Sequence, residues 1–158
     1  MRGIAVKDKT FYSCRIKQGN DMSQNAIFWP MGALALLTFI VLTLIPFRRV
    51  GAARAGHVQA TDFKYGESAK VPGFVSLANR NYMNLLEMPV LFYVICLMIY
   101  VSARLDAVFL SLAWGYVGLR TVHSLVHVSY NDVMHRLAFF SLSNFVVVAL
   151  WVWFFFGR

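Results

Sequence analysis

Residues 116–136 read Y-V-G-L-R-T-V-H-S-L-V-H-V-S-Y-N-D-V-M-H-R. Inside this largely apolar stretch Arg120, His123 and His127 recur at spacings of three and four, so an α-helix carries all three on one face. Tyr116 and Tyr130 lie on or near the same stripe. Arg136 follows sixteen residues after Arg120, at the head of the next apolar run. Arginine is costly inside a bilayer and persists there when it is paired or faces a polar cavity. The stretch therefore predicts a membrane helix that is polar on one side, a turn at Asn131 and Asp132, and a further membrane helix that opens on an arginine.

The rest of the chain agrees with that class. Of its 158 residues 59% are hydrophobic and only 14% charged, against roughly 25% charged in soluble domains. The charges are clustered and leave long uncharged runs, which predicts an all-α membrane protein. A membrane barrel would instead show alternating segments of about ten residues. The net charge of +8 comes largely from the N-terminal residues and the first loop, where anionic lipid headgroups are a simpler partner than nucleic acid. Cys14 and Cys96 are the two cysteines. Their placement suggests neither a disulfide framework nor a zinc site, and Cys96 reads as a small buried apolar residue.

Four spans are expected, at about 27–46, 75–101, 106–129 and 133–156, forming a four-helix bundle over residues 27–158. Residues 1–26 read as a polar tail, disordered or mis-assigned, because Met22 opens a natural start at M-S-Q-N-A-I-F-W-P. The segment 47–74 reads as a long basic loop, with His57 solvated in it. Pro89 is expected to kink the second span. The short turns between spans two, three and four make those helices antiparallel neighbours.

The second span carries Arg80, Asn84 and Glu87 at spacings of four and three. The first loop holds five Lys or Arg, and Arg136 lies on the same side. Counted from Met22, the opposite side holds only Arg104 and Arg158. The excess of positive charge makes loop 47–74 cytoplasmic. At about 1.5 Å per residue, Arg80 to Glu87 lie roughly 8–18 Å inside the second span, and Arg120 to His127 roughly 3–14 Å from the cytoplasmic end of the third. The polar groups thus gather in one half of the membrane, as a shared cavity open to the cytoplasm would require.

These residues resemble the MAPEG family, the membrane-associated proteins in eicosanoid and glutathione metabolism. The family pattern R-x-x-x-N-x-x-E appears as Arg80, Asn84 and Glu87, and R-x-x-H as Arg120 and His123; an arginine sixteen residues later appears as Arg136, followed by L-A-F-F. The resemblance implies a homotrimer of four-helix subunits holding glutathione, as a co-substrate, between neighbours at the cytoplasmic side. It implies that Arg136 stabilises the thiolate, while Asn84, Glu87 and His123 hold the polar arms, with Arg80, Arg120, His127 and Tyr130 as further contacts. The chemistry is coherent on its own terms: a thiol pKa falls beside arginine, and the thiolate is the nucleophile. Met83, His127 and Leu137 depart from residues found in parts of the family.

Bland readings stand beside the sharp ones. Arg120 is either the buried ion-pair partner of Glu87 or a ligand contact. Asn84 is either interhelical glue or a ligand contact. Arg136 is either a snorkelling helix end or the thiolate partner. His123 and His127 have metal spacing, but no carboxylate or thiolate completes a set unless His135 or Asp132 folds back, so no metal is expected. The reading that follows is a membrane-bound transferase or peroxidase joining glutathione, or a related thiol, to lipophilic electrophiles from the lipid bilayer. The alternatives are a non-enzymatic trimeric scaffold, or an ion or proton pathway through Glu87, Arg120 and His123.

Overall fold

The computed structural model describes residues 23–157. Of the tail expected at 1–26, residues 1–22, with Cys14, lie outside them, as does Arg158. The described residues form α1 (Phe28–Arg54), α2 (Gly73–Glu87), α3 (Pro89–Val101), α4 (Ala107–Val128) and α5 (Val133–Phe156). Short 3₁₀ turns cover Gln24–Ile27, the first three of whose residues were expected in the tail, and Ala60–Phe63. No β-strand is found among the described residues beyond an isolated bridge between Lys64 and Gly66.

Three helical stretches among the described residues are long and apolar enough to cross a membrane: Gln24–Arg54, Gly73–Val101 and Val133–Phe156. The second joins α2 and α3 across Met88, with Pro89 at the first position of α3, where its missing N–H costs least. Helix α4 is not among the three. Its 22 residues would reach about 33 Å, but Arg120, His123 and His127 lower its apolarity.

The first helix differs from expectation at its end. It runs through Pro46 to Arg54. Proline inside a helix removes one backbone donor and clashes with the preceding turn, a fault that membrane helices absorb by local adjustment. Beyond it the chain is held on both sides. Arg48 donates from Nη1 to the Phe74 carbonyl (2.7 Å) and from Nη2 to the Val128 carbonyl (2.8 Å), tying the end of α1 to the start of α2 and the end of α4. Ala52 is buried with Val58, Val71 and Val75, and Phe63 packs on this cluster. The segment expected as an open loop is therefore partly helix and partly a small folded cap.

The main core joins Leu34 and Val41 of α1, Phe92, Ile95 and Ile99 of α3, Phe109, Ala113 and Tyr116 of α4, and Val147 and Leu150 of α5. Outward faces are apolar as well, as at Phe39, Phe47, Phe145 and Phe156. Burial from lipid gives little hydrophobic gain, so close packing and interhelical hydrogen bonds hold such bundles. Ala78, Ala113 and Ser143 are fully buried small residues that let backbones approach. At the end away from Arg48, Arg104 donates to the carbonyls of Phe154 (2.7 Å) and Gly157 (3.0 Å), closing the last turn of α5.

Candidate functional site

The turn between α4 and α5 sets the site. Asn131 adopts a left-handed backbone, φ 51°, a conformation that asparagine tolerates better than most side chains. Its N–H returns to the Val126 carbonyl at 2.9 Å and ends α4. Asp132 then caps α5, accepting the His135 N–H at 2.8 Å. That hydrogen bond, with a lesser contribution from the charge of His135, holds the Asp132 carboxyl below its ordinary range. One turn into α5, Arg136 donates from Nη1 to Asn131 Oδ1 at 2.7 Å. The residue that makes the turn thus also aims the guanidinium.

A cavity of about 230 Å³ opens beside it, lined by Asn84, His123, Val133, Arg136, Leu137 and Phe140. Three expected site residues, from α2, α4 and α5, therefore line one hollow. His123 is fixed by the Arg136 carbonyl, 3.0 Å from Nδ1. A carbonyl can only accept, so Nδ1 carries a proton and donates it. Nε2 is buried and has no protein partner among the described residues.

The other expected residues fall elsewhere. Arg80 and Glu87 are exposed on α2. Tyr130 is exposed at the rim, its hydroxyl 3.2 Å from His135 Nδ1. Arg120 and His127 are buried behind the cavity and do not line it. The expected ion pair of Glu87 with Arg120 is not formed in this chain. Instead Arg120 donates from Nε to the Tyr116 hydroxyl (3.1 Å) and from Nη2 to Asn144 Oδ1 (3.3 Å), with its guanidinium 5.0 Å from the Phe140 ring centre. The physical reason is rotation: the α4 stripe turns inward and reaches Asn144 of α5, while Glu87 stays on the outer face of α2.

Several contributors lay outside the sequence reading. Asn144 and Asn81 were not singled out, and Phe140 entered only as the last residue of the L-A-F-F run. Asn81 Oδ1 accepts from Ser124 Oγ at 3.2 Å and links α2 to α4. Phe140 stands between Arg120 and the cavity, since it contacts the first and lines the second. A lone amide inside an apolar run was the available signal for Asn144. Among the described residues no cluster of three His, Cys, Asp or Glu could hold a metal ion.

The arrangement is that of a helical membrane protein with a cationic, partly apolar hollow near one end of the bundle. The MAPEG family, whose pattern matches residues 27–156, includes this chain, and the protein is a member of that family of integral membrane proteins. No curated protein and no solved structure matches it. Membership supports, at the level of the family, a glutathione-transferase-like or related membrane function.

Proposed function

We propose that the protein is a membrane-bound transferase or peroxidase that activates glutathione, or a similar thiol, against lipophilic electrophiles, with Arg136 holding the thiolate. The observation that carries this reading is the convergence of Asn84, His123 and Arg136 on one cavity. The Arg136 guanidinium stays protonated and cannot serve as a base. Its role is to donate hydrogen bonds to the sulfur anion, so the S–H proton leaves to water and the thiolate forms the new C–S bond. As that bond forms, the electrophile's leaving group departs with its electron pair or, in conjugate addition, the resulting carbanion takes a proton from water. Val133, Leu137 and Phe140 give the same hollow an apolar wall suited to a bilayer-borne partner.

The cavity in one chain is small. At about 230 Å³ it falls below the roughly 300–1,000 Å³ of sites that enclose a drug-sized ligand. It suits the thiol end of a tripeptide, leaving the polar arms to reach beyond it. Arg80 and Glu87 stand exposed on the same helix as Asn84, in a stretch apolar enough to span a bilayer. A charge facing lipid at the centre of a span costs about 2.5–3.5 kcal/mol on insertion scales. A neighbouring subunit removes that cost and completes the site, which favours the homotrimer. Helix α4, which buries its polar stripe and exposes Trp114, Val122 and Leu125 on the other side, serves as the fourth span, and the Arg48 end with loop 47–74 faces the cytoplasm.

The non-enzymatic scaffold reading draws on Leu137, an apolar side chain lining the cavity directly after Arg136. One titration separates the two. Detergent-purified protein is mixed with reduced glutathione and bound thiolate is followed near 240 nm against pH. The transferase reading expects the bound thiol to titrate below its value in water, with most of the effect lost in Arg136→Ala and part retained in Arg136→Lys. Binding without a lowered thiol pKa removes Arg136 from the role. No binding at all leaves the scaffold.

A further inference from the structure

Helix α1 has an outer face that the thiol site does not use. A hollow of about 330 Å³ is lined by Pro46, Phe47, Val50, Gly51 and Arg54. A second, of about 230 Å³, lies between α1 and α4 and runs from Leu37 through Leu44 to Phe47, against Leu125 and Val128. Phe47 lines both, so the two form one track that is apolar along most of its length and has Arg54 at one end. We propose that this track is a docking groove for an anionic phospholipid, with an acyl chain along α1 and the headgroup phosphate at Arg54.

Length and depth agree with that occupant. The 27 residues of α1 span about 40 Å, against a hydrocarbon core of about 30 Å and a full bilayer of about 40–45 Å. With exposed Trp29 at one interface, the turn bearing Arg54 emerges at the headgroups of the other leaflet. The track from Leu37 to Arg54 covers about 25 Å, close to the thickness of one leaflet with its headgroups. Gly51 lines the hollow, and an added Cβ there would meet nothing within 4 Å, so the space is open and faces outward.

The charge pattern selects an anion. Both acids of the neighbouring cap are engaged within it. Asp62 accepts from the Gln59 N–H (2.8 Å) and from Ser68 Oγ (3.2 Å), and Glu67 pairs with Arg49 at 3.2 Å. Arg48 is occupied by two backbone carbonyls. Arg54, Lys64 and Lys70 remain exposed, with no ion pair among the described residues. Arg54 alone of these lines the track, and an unpaired guanidinium at the end of an apolar track at headgroup depth matches an acidic phospholipid better than a zwitterionic one.

Native mass spectrometry of the full chain, in mild detergent with equimolar phosphatidylglycerol and phosphatidylcholine of matched chains, tests the proposal. The expected result is at least fivefold enrichment of phosphatidylglycerol adducts, falling below twofold in Arg54→Gln. Gly51→Leu fills the hollow while keeping the charge, and should lower the adducts of both lipids. Circular dichroism confirms that each variant is folded. Equal retention of the two lipids by the wild-type chain overturns the proposal, as does an unchanged preference in Arg54→Gln. If Gly51→Leu instead splits an oligomer and leaves lipid adducts intact, a second copy of the chain occupies the groove and the lipid assignment is wrong.

Discussion

Replacing Asn131 by glycine and by alanine separates its two roles. The backbone at this position is left-handed, φ 51°, and the side chain accepts the Arg136 guanidinium at 2.7 Å in a half-buried setting. A left-handed backbone costs a residue with a Cβ about 1–2 kcal/mol, and glycine adopts it freely. A hydrogen bond to a charged group contributes about 1.5–3 kcal/mol when buried; partial exposure here brings that to about 1 kcal/mol. Asn131→Gly should therefore lose about 1 kcal/mol of stability, the hydrogen bond alone. Asn131→Ala loses the same bond and the tolerance of asparagine for this backbone, for a total of about 2–3 kcal/mol. Equilibrium unfolding in mixed micelles measures both. Thiol affinity should behave differently. Either substitution frees the guanidinium, so both should weaken glutathione binding by a similar factor, on the order of tenfold, as preorganisation is lost. Equal stability losses in the two variants would refute the backbone argument. Unaltered thiol binding in both would show that Asn131 does not position Arg136 for a ligand.

The remaining expectations rest on other contacts. Asn144→Leu should destabilise the fold by about 1–2 kcal/mol, because buried Arg120 loses one of its two protein partners; adding Arg120→Met should recover part of that loss in the same unfolding assay, since an apolar pair leaves no buried charge behind. Arg48→Lys should cost about 1–2 kcal/mol, as a compact ammonium cannot bridge the Phe74 and Val128 carbonyls as the guanidinium fork does; a stability equal to wild type would mean that the fork does not hold the three helices together. Asp132 has a depressed folded pKa, so its contribution is present above the unfolded value of about 3.9 and is lost as pH falls through the folded one. Thermal melts of wild type and Asp132→Asn should accordingly change relative to each other as pH falls below about 4, where Asp132 takes up its proton.

Much of this architecture was legible because a membrane chain makes polar residues conspicuous. Arg120, His123 and His127 could be placed on one face from their spacing alone, and α4 buries all three. Spacing says which residues share a face of a helix. It does not say which neighbour that face meets. The pairing of Glu87 with Arg120 failed on that point, because the α4 stripe meets Asn144 on α5 rather than the outer face of α2. The loop at 47–74 was misjudged for a related reason. Its Gly, Pro and basic residues look unstructured in sequence, whereas Ala52, Val58, Val71 and Val75 are too scattered to show a period and meet only in the fold.

The same distinction explains why α4 falls short as an apolar span while burying its polar stripe inside the bundle. A membrane helix must be apolar on the side that meets lipid, whereas the side turned to its neighbours can hold polar groups if protein supplies their partners. Tyr116 and Asn144 supply them for Arg120, Asn81 for Ser124, and the Arg136 carbonyl for His123. These bonds also fix the rotation of α4 against α2 and α5, and that rotation brings His123 beside Arg136 at the cavity. The features that make α4 a poor membrane helix by composition are therefore the ones that assemble the site, and a substitution that made it more apolar at Arg120 would be expected to loosen the register on which the cavity depends.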